Sequence, residues 1–260
     1  MSLAPTYPPG RNLLAGKTVL VTAAAGTGIG YAVAKRAVEE GARVMISDWH
    51  ERRLGEAATR IAEETGSERP ATFVCDVSDQ AQVDALRDAA EAELGAVDVL
   101  INNAGLGGET PVVDMTDDEW QRVLDVTLNS VFRMTRAFLP GMYARKAGAI
   151  VNNASVLGWR AQKGQAHYAA AKAGVMAFTR CSALEAAEHG VRINAVAPSI
   201  AMHAFLAKVT SDELLAELSA REAFGRPAEV WEVANVMLFL ASDLASYMTG
   251  EVVPVSSQRA

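Results

Sequence analysis

The sequence predicts one doubly wound α/β domain, and three observations predict it. Short apolar, β-branched runs alternate along the chain with longer amphipathic stretches. A glycine-rich turn, Thr22 to Gly30 (TAAAGTGIG), joins the first apolar run to the first helical stretch. An acid, Asp48, closes the second run, 18 residues past Gly30. That layout suits the nucleotide-binding half of a parallel sheet. The chain has 260 residues, 50% of them hydrophobic, enough for one large core. No repeat, low-complexity segment or Pro/Ser-rich linker divides it, so residues 1–260 read as a single domain.

The elements follow in order. The start, MSLAPTYPPGRN, holds three prolines and no apolar core, so it reads as neither a signal peptide nor a membrane span. Residues 1–14 are expected to form an ordered or frayed arm. Strands are expected at Lys17–Val21, Arg43–Asp48, Ala71–Asp76, Val97–Asn102, Ala149–Asn153, Arg192–Ala197 and Glu251–Val255. Most are continuous apolar runs, as strands buried on both faces require. Between them lie amphipathic stretches such as YAVAKRAVEE and QAQVDALRDAAEAEL. Thr116 with Glu119, and Thr210 with Glu213, read as helix-starting capping boxes. One region breaks the alternation. Residues 199–226 are helical and apolar on one side, and they follow the carboxyl end of a strand, where such sheets bind ligands. A substrate-covering flap is the preferred reading, and a plain packing helix is the alternative.

Composition excludes several functions. The net charge is −7 with Lys and Arg scattered, which argues against nucleic-acid or anionic-membrane partners. Four His and two Cys stand at no ligand spacing, so no metal site is expected. Cys75 and Cys181 read as small buried hydrophobes in a reducing compartment, not as a disulfide. No run of 18 uncharged apolar residues occurs, and a cytoplasmic protein is expected.

The turn itself carries chemistry. Glycines between a strand and a helix let backbone N–H groups approach a pyrophosphate, and the helix N-terminus adds partial positive charge. Gly26, Gly28, Ile29 and Gly30 are the candidates. A carboxylate at Asp48 can accept hydrogen bonds from adenosine ribose hydroxyls and would repel a 2′-phosphate. NAD is therefore the expected cofactor. The neighbour Trp49 agrees, whereas Arg52 and Arg53 pull the other way. The plainer reading of Asp48 is a cap on the following helix.

Taken with that turn and Asp48, the ordered set Asp76 in CDVSD, Asn102-Asn103-Ala104-Gly105, Ser155 and Tyr168-x-x-x-Lys172 resembles the short-chain dehydrogenase/reductase family. The resemblance runs from about Lys17 to Val255. It implies a Rossmann-type domain with a seven-stranded parallel sheet. It implies that Asp76 and Val77 flank the adenine, and that Asn103, Ala104, Gly105, Pro198 and Ile200 line the cofactor. Tyr168 and Lys172, four apart in a strong helix former, share one helix face. Free tyrosine has a pKa of about 10, and a nearby ammonium favours the phenolate. The resemblance makes Tyr168 the acid/base and gives Lys172 a bond to the nicotinamide ribose. Ser155, 13 residues before Tyr168, would hold the substrate oxygen.

The chain also departs from the family pattern. Where the family often has an asparagine in the central helix, DVTLNSVF places Thr127. Either Thr127 carries the water-mediated proton relay or the relay is absent, and the first is preferred. Pro198-Ser199 stands for Pro-Gly, and His203 stands for a nicotinamide-contacting threonine, either as a ligand contact or as a flap-surface residue. Ala24 replaces the usual first glycine and one residue precedes GIG in excess, so Gly26 is expected to supply the flexible backbone.

A pocket drawn from Leu157, Trp159, Ile200, Met202, Phe205, Leu206 and Phe224 is apolar and favours a bulky alcohol or ketone. Arg160, Lys163 and Lys208 read either as contacts for a CoA tail or as solvated surface charges. The two ends of the chain are similar to actinobacterial family members of steroid breakdown, which act on hydroxy-hydrindanone acids or their CoA esters. The expected activity is interconversion of a secondary alcohol and a ketone. A non-catalytic NAD(H)-binding sensor or scaffold is the alternative. The resemblance implies a homotetramer and leaves a dimer open.

Overall fold

The protein, seen in a computed structural model, is described for residues 5–202 and 212–257. Its strands are β1 (Thr18–Thr22), β2 (Arg43–Asp48), β3 (Ala71–Val74), β4 (Val99–Asn102), β5 (Gly148–Asn153) and β6 (Val191–Pro198). Two short strands, β7 (Ala201–Met202) and β8 (Ala228–Glu229), pair with each other, and β9 (Val252–Val255) returns to the main sheet. That sheet has seven strands in the order β3-β2-β1-β4-β5-β6-β9. All its pairings are parallel. The expected fold class is therefore the observed one.

Parallel pairing sends every strand's carboxyl end to the same edge. The chain steps outward from β1 to β3, then returns to place β4 on the other side of β1. The crevice at that reversal is where a ligand finds loops from both halves.

The continuous apolar runs follow from burial on both faces. Val19 and Val21 of β1 face a core built from α1 (Ile29–Glu39), α2 (Glu51–Thr65) and the helix Val230–Ala241. Leu20, between them, points the other way. It packs with Leu100 and Ile150 against α3 (Gln80–Leu94), α5 (Ser130–Arg145) and α6 (Ala166–Ala187).

Local signals act as written. The helix α4 (Asp117–Leu124) opens on the expected capping box: Thr116 N–H donates to Glu119 Oε2 at 2.9 Å and Glu119 N–H to Thr116 Oγ1 at 3.2 Å. Thr210 lies outside the described residues. β3 ends two residues earlier than expected. Cys75 N–H still donates to Asp48 O at 3.0 Å, but Asp76 Oδ1 then captures Ser78 N–H at 2.9 Å and turns the chain into α3. Both cysteines are free thiols. Cys75 is buried, and burial pushes its thiol up to about 12. Cys181 is exposed, contrary to expectation, because it faces outward on α6. Among the described residues no helix is long and apolar enough to cross a membrane.

The N-terminal arm is docked from Tyr7 onward, largely through buried charge. Arg36 of α1 and Glu40, which caps that helix, form an ion pair at 2.7 Å with both side chains nearly fully buried. The other Glu40 oxygen accepts from Arg11 N–H at 2.7 Å and Leu13 N–H at 3.0 Å. Arg36 also donates to Pro8 O at 3.0 Å, and Tyr7 donates to Glu39 at 2.6 Å. Removing one partner of such a pair leaves an uncompensated buried charge. Glu40→Ala is expected to cost about 3 kcal/mol, read as a lowered midpoint in thermal or denaturant unfolding. An unchanged midpoint would show that the arm does not depend on this pair.

Candidate active site

The site gathers along the carboxyl edge of β1, β4 and β5. Its first part is the turn after β1. Ala23 takes a left-handed conformation at φ +53° and Gly26 has φ +153°. The expectation for Gly26 over Ala24 holds. Ala23 adds a second positive-φ position that only a glycine would occupy without strain. Asn103 holds it there: its Nδ2 donates to Ala23 O at 3.1 Å and Thr22 O at 3.2 Å. Thr22 Oγ1 accepts from Asn103 N–H at 3.0 Å and Ala104 N–H at 3.3 Å. Gly30 lies against this stitch. A Cβ there would come within 2.4 Å of both Ala23 O and Asn103 Nδ2. Gly28 and Ile29 start α1 beside it.

Asp48 ends β2 with its carboxylate turned to the turn. Oδ2 accepts from Ala25 N–H at 3.1 Å and Oδ1 from His50 N–H at 3.0 Å. Asp48 thus joins the glycine turn to the residue that precedes α2, a helix that itself starts without a side-chain cap. Burial raises its pKa, opposed by those two N–H donors. The nearby cations differ: Arg53 lies close enough to Asp48 to favour its carboxylate, and its buried Nε has no hydrogen-bond partner among the described residues. Arg52 pairs with Glu56 at 2.6 Å, and Arg60 donates to Gly26 O while lying 4.0 Å from the centroid of the Tyr31 ring. Asp76 is exposed at the mouth, and Val77 is buried in the adjoining core.

The second part rides on α6. Lys172 is 2% exposed and donates from Nζ to Asn153 O at the end of β5. Its Nζ lies 5.5 Å from the centroid of the Tyr168 ring. Ser155 follows β5 and hydrogen-bonds Tyr168; its Oγ also accepts from Leu157 N–H at 3.2 Å. Burial pushes the Tyr168 phenol up to about 12, a rise opposed by the Ser155 hydrogen bond, and burial pushes Lys172 down to about 7. The protein alone therefore drives both groups toward their neutral forms.

A glycine-rich loop covers this pair. Gly105 packs over Lys172 Nζ, Gly107 over the Tyr168 ring and Gly108 over His167. Thr110 N–H pins the loop to Gly164 O at 3.0 Å. Thr127 stands beneath it in a π-helical turn, Asp125–Asn129, between α4 and α5. Its hydroxyl donates to Leu106 O at 3.1 Å and accepts from Leu106 N–H at 2.9 Å. Its one proton is thereby used, and one lone pair remains.

The structure thus brings together Ser155, Tyr168, Lys172, Thr127 and Gly105, with Gly26, Gly28, Gly30, Asp48, Asn103 and Ala104 in the turn. Pro198 closes β6 on the same edge. Ile200 O accepts from Ala228 N–H at 2.9 Å, tying the chain after β6 to β8. Leu157 and Met202 are half-buried, whereas Trp159 and Phe224 are largely exposed. His203, Phe205, Leu206 and Lys208 lie outside the described residues. Sequence reasoning passed over Gly107, Gly108 and Asn153. The signals were present as a glycine run after NNAG and as a second Asn-Asn pair at 152–153.

Known proteins match this chain closely. The family model described as enoyl-(acyl carrier protein) reductase matches residues 23–257. The chain is 66% identical to the (5R,7aS)-5-hydroxy-7a-methyl-1-oxo-2,3,5,6,7,7a-hexahydro-1H-indene-carboxyl-CoA reductase of Mycobacterium tuberculosis, over 99% of this chain and 98% of that one. A crystal structure of a short chain dehydrogenase from Mycobacterium smegmatis superposes with TM-score 0.88 at 60% identity, covering 99% of each chain. An NAD+-bound xylitol dehydrogenase superposes with TM-score 0.87 at 31% identity, covering 94% of this chain and 99% of that one.

The contacts at Gly30 are with a backbone carbonyl and a committed amide, neither of which can step aside. Gly30→Ala is expected to weaken NADH binding at least roughly tenfold, about 1.4 kcal/mol, in a fluorescence titration. Binding of wild-type strength would show that the stitch is not part of the cofactor site.

Proposed function

The chain belongs to the short-chain dehydrogenase/reductase family, and from that membership we propose that it is an NAD(H)-dependent oxidoreductase for a hydroxy-hydrindanone carried as a CoA ester. The observation that carries the reading is the assembly of Ser155, Tyr168 and Lys172 at the edge of β5 beside the stitched glycine turn. The substrate class is that named for the mycobacterial relative at 66% identity. The exposed Trp159 and the neighbouring Arg160 and Lys163 suit an apolar ring system with an anionic tail.

The residues present fit the cofactor. The Gly30 cradle leaves no room for a side chain, and a peptide-lined turn meets a helix N-terminus, as a pyrophosphate requires. Gly26, Gly28, Ile29 and Gly30 would hold the phosphates and Asp48 the adenosine ribose. Asp76 and Val77 would flank the adenine. Asn103, Ala104, Gly105, Pro198 and Ile200 would line the remainder, with Tyr168 and Lys172 at the nicotinamide ribose. NAD is favoured over NADP because the Asp48 carboxylate faces the turn and Arg52 pairs with Glu56, with Arg53 beside Asp48 pulling the other way. When bound, the nicotinamide accepts or supplies the hydride.

The protein's own residues do the rest. Ser155 holds the substrate oxygen beside the Tyr168 hydroxyl and stabilises charge developing on it. Tyr168 gives a proton to that oxygen in reduction and takes one in oxidation. Lys172 adds positive charge next to the phenol. Thr127 takes the place of the family's asparagine through its remaining lone pair, which can accept from a relay water but leaves no proton to give. Assembly as a homotetramer would cover Phe132 and Leu184, which α5 and α6 leave exposed. A cytoplasmic setting agrees with two free cysteines.

Purified protein is expected to form NADH from NAD with hydroxy-hydrindanone carboxyl-CoA, and to run in reverse with the ketone. Tyr168→Phe should lower the rate roughly 1,000-fold while NADH still binds. An unchanged rate would remove Tyr168 from the proton transfer. The pH dependence has a definite sign. Burial raises the Tyr168 phenol and lowers Lys172, so the phenolate is favoured only as pH rises. Reduction needs the phenol and oxidation the phenolate, so the ratio of oxidation to reduction rates should climb with pH. A flat ratio would contradict the assignment. Asp48→Ser should lower the preference for NAD over NADP roughly tenfold, about 1.4 kcal/mol, in paired kcat/KM measurements. An unchanged preference would place cofactor selection elsewhere.

A further inference from the structure

The chain carries two Asn-Asn pairs, Asn102-Asn103 and Asn152-Asn153, at the ends of β4 and β5, with Asn102 opposite Asn152 in register. Successive strand residues point to opposite faces, so the pairs make two separate rungs. One rung runs from Asn102 Nδ2 to Asn152 Oδ1 at 2.9 Å and from Asn152 Nδ2 to Thr179 Oγ1 at 2.9 Å. It fastens the strands to α6 and touches nothing in the site. The other rung is different. Asn153 Nδ2 donates to Asn103 Oδ1 at 2.9 Å, and Asn103 Nδ2 donates onward to Ala23 O at 3.1 Å. At the other end Asn153 O accepts from Lys172 Nζ.

A continuous line of hydrogen bonds therefore runs from the left-handed Ala23 of the glycine turn to the buried ammonium. We propose that Asn153 is a positioning residue that ties Lys172 to the dinucleotide turn through Asn103. This rests on the reading of Lys172 and Tyr168 as the proton-handling pair.

The surroundings make this tie consequential. Lys172 has no ion-pair partner among the described residues, and the groups packed on it, Gly105 and Tyr168, carry no charge when Tyr168 is a phenol. Its one strong acceptor among the described residues is the Asn153 carbonyl. A buried ammonium that loses its acceptor gives up its proton more readily. The Asn153 side chain fixes the direction of that carbonyl by anchoring its own residue to Asn103. Its Oδ1 has no partner among the described residues, so the whole hold of the side chain is the single Nδ2 bond. A residue of the same shape without the donor would keep the packing and lose the tie.

Asn153→Leu tests this, with Asn153→Ser as a smaller second variant in case the first folds poorly. The readout is the tyrosinate ultraviolet band in the NAD+ complex, isolated by subtracting the spectrum of Tyr168→Phe, followed against pH. The expected result is that the band appears at a pH about one unit higher than in the wild type. NADH affinity, read by fluorescence, should fall roughly threefold to tenfold. The double variant Asn103→Leu/Asn153→Leu should shift the band no further than Asn103→Leu alone. A lowered melting temperature with band position and NADH affinity unchanged in either variant would overturn the proposal and leave Asn153 a structural residue. The band needs no substrate. If it shifts as expected while the wild type turns over no hydrindanone, the substrate assignment fails and the positioning role stands.

Discussion

A lysine buried with no counter-charge among the described residues is the constraint around which this site is organised. Lys172 is almost wholly removed from water, and burial alone drives it toward the neutral amine. Taking an ammonium out of water costs several kcal/mol unless it finds good acceptors. The structure meets that cost with one backbone carbonyl at a strand end, so the position of β5 becomes a chemical matter. A parallel sheet is suited to this, because the carboxyl ends of its strands present unpaired carbonyls at the edge where the ligand binds. The same edge supplies Thr22, Asp48, Asn103, Ser155 and Pro198. Fold and chemistry meet at the strand ends.

The sequence made the architecture legible because burial on both faces leaves long apolar runs, and Gly26 to Gly30 mark the one place where the backbone must pass close to something. Tyr168 and Lys172 were legible through helical spacing. Three features were not. Ala23 is left-handed although an alanine gives no hint of it, because the strain is held by Asn103, eighty residues away. Thr127 reads as a free hydroxyl on a helix. Only the π-helical turn shows that it is bonded to both backbone groups of Leu106. Cys181 lies in an apolar-looking stretch yet faces outward, since α6 is flanked by sheet on one side only. Long-range hydrogen bonding decides the first two cases and helix facing the third, and neither leaves a mark in local pattern.

The turn TAAAGTGIG shows how a long loop is held in one shape. A longer turn has more conformations to lose, and its ends must be held more firmly. Here Ala24 and Ala25 run along the end of β2. Ala24 N–H donates to Ser47 O at 3.2 Å and Ala25 N–H to Asp48 Oδ2 at 3.1 Å. Arg60 grips Gly26 O from α2, and Asn103 grips Ala23 O from β4. The turn is thus braced from both neighbouring strands and from the helix behind it. The Asp48 carboxylate is itself one of those braces, so its position cannot drift independently of the turn backbone. A mutation at Asp48 should therefore alter the shape of the turn as well as its charge, whereas a change at Arg52, which pairs with Glu56 at the surface, should leave both intact. The Asp48 carboxylate and the geometry of the turn form one mechanical unit.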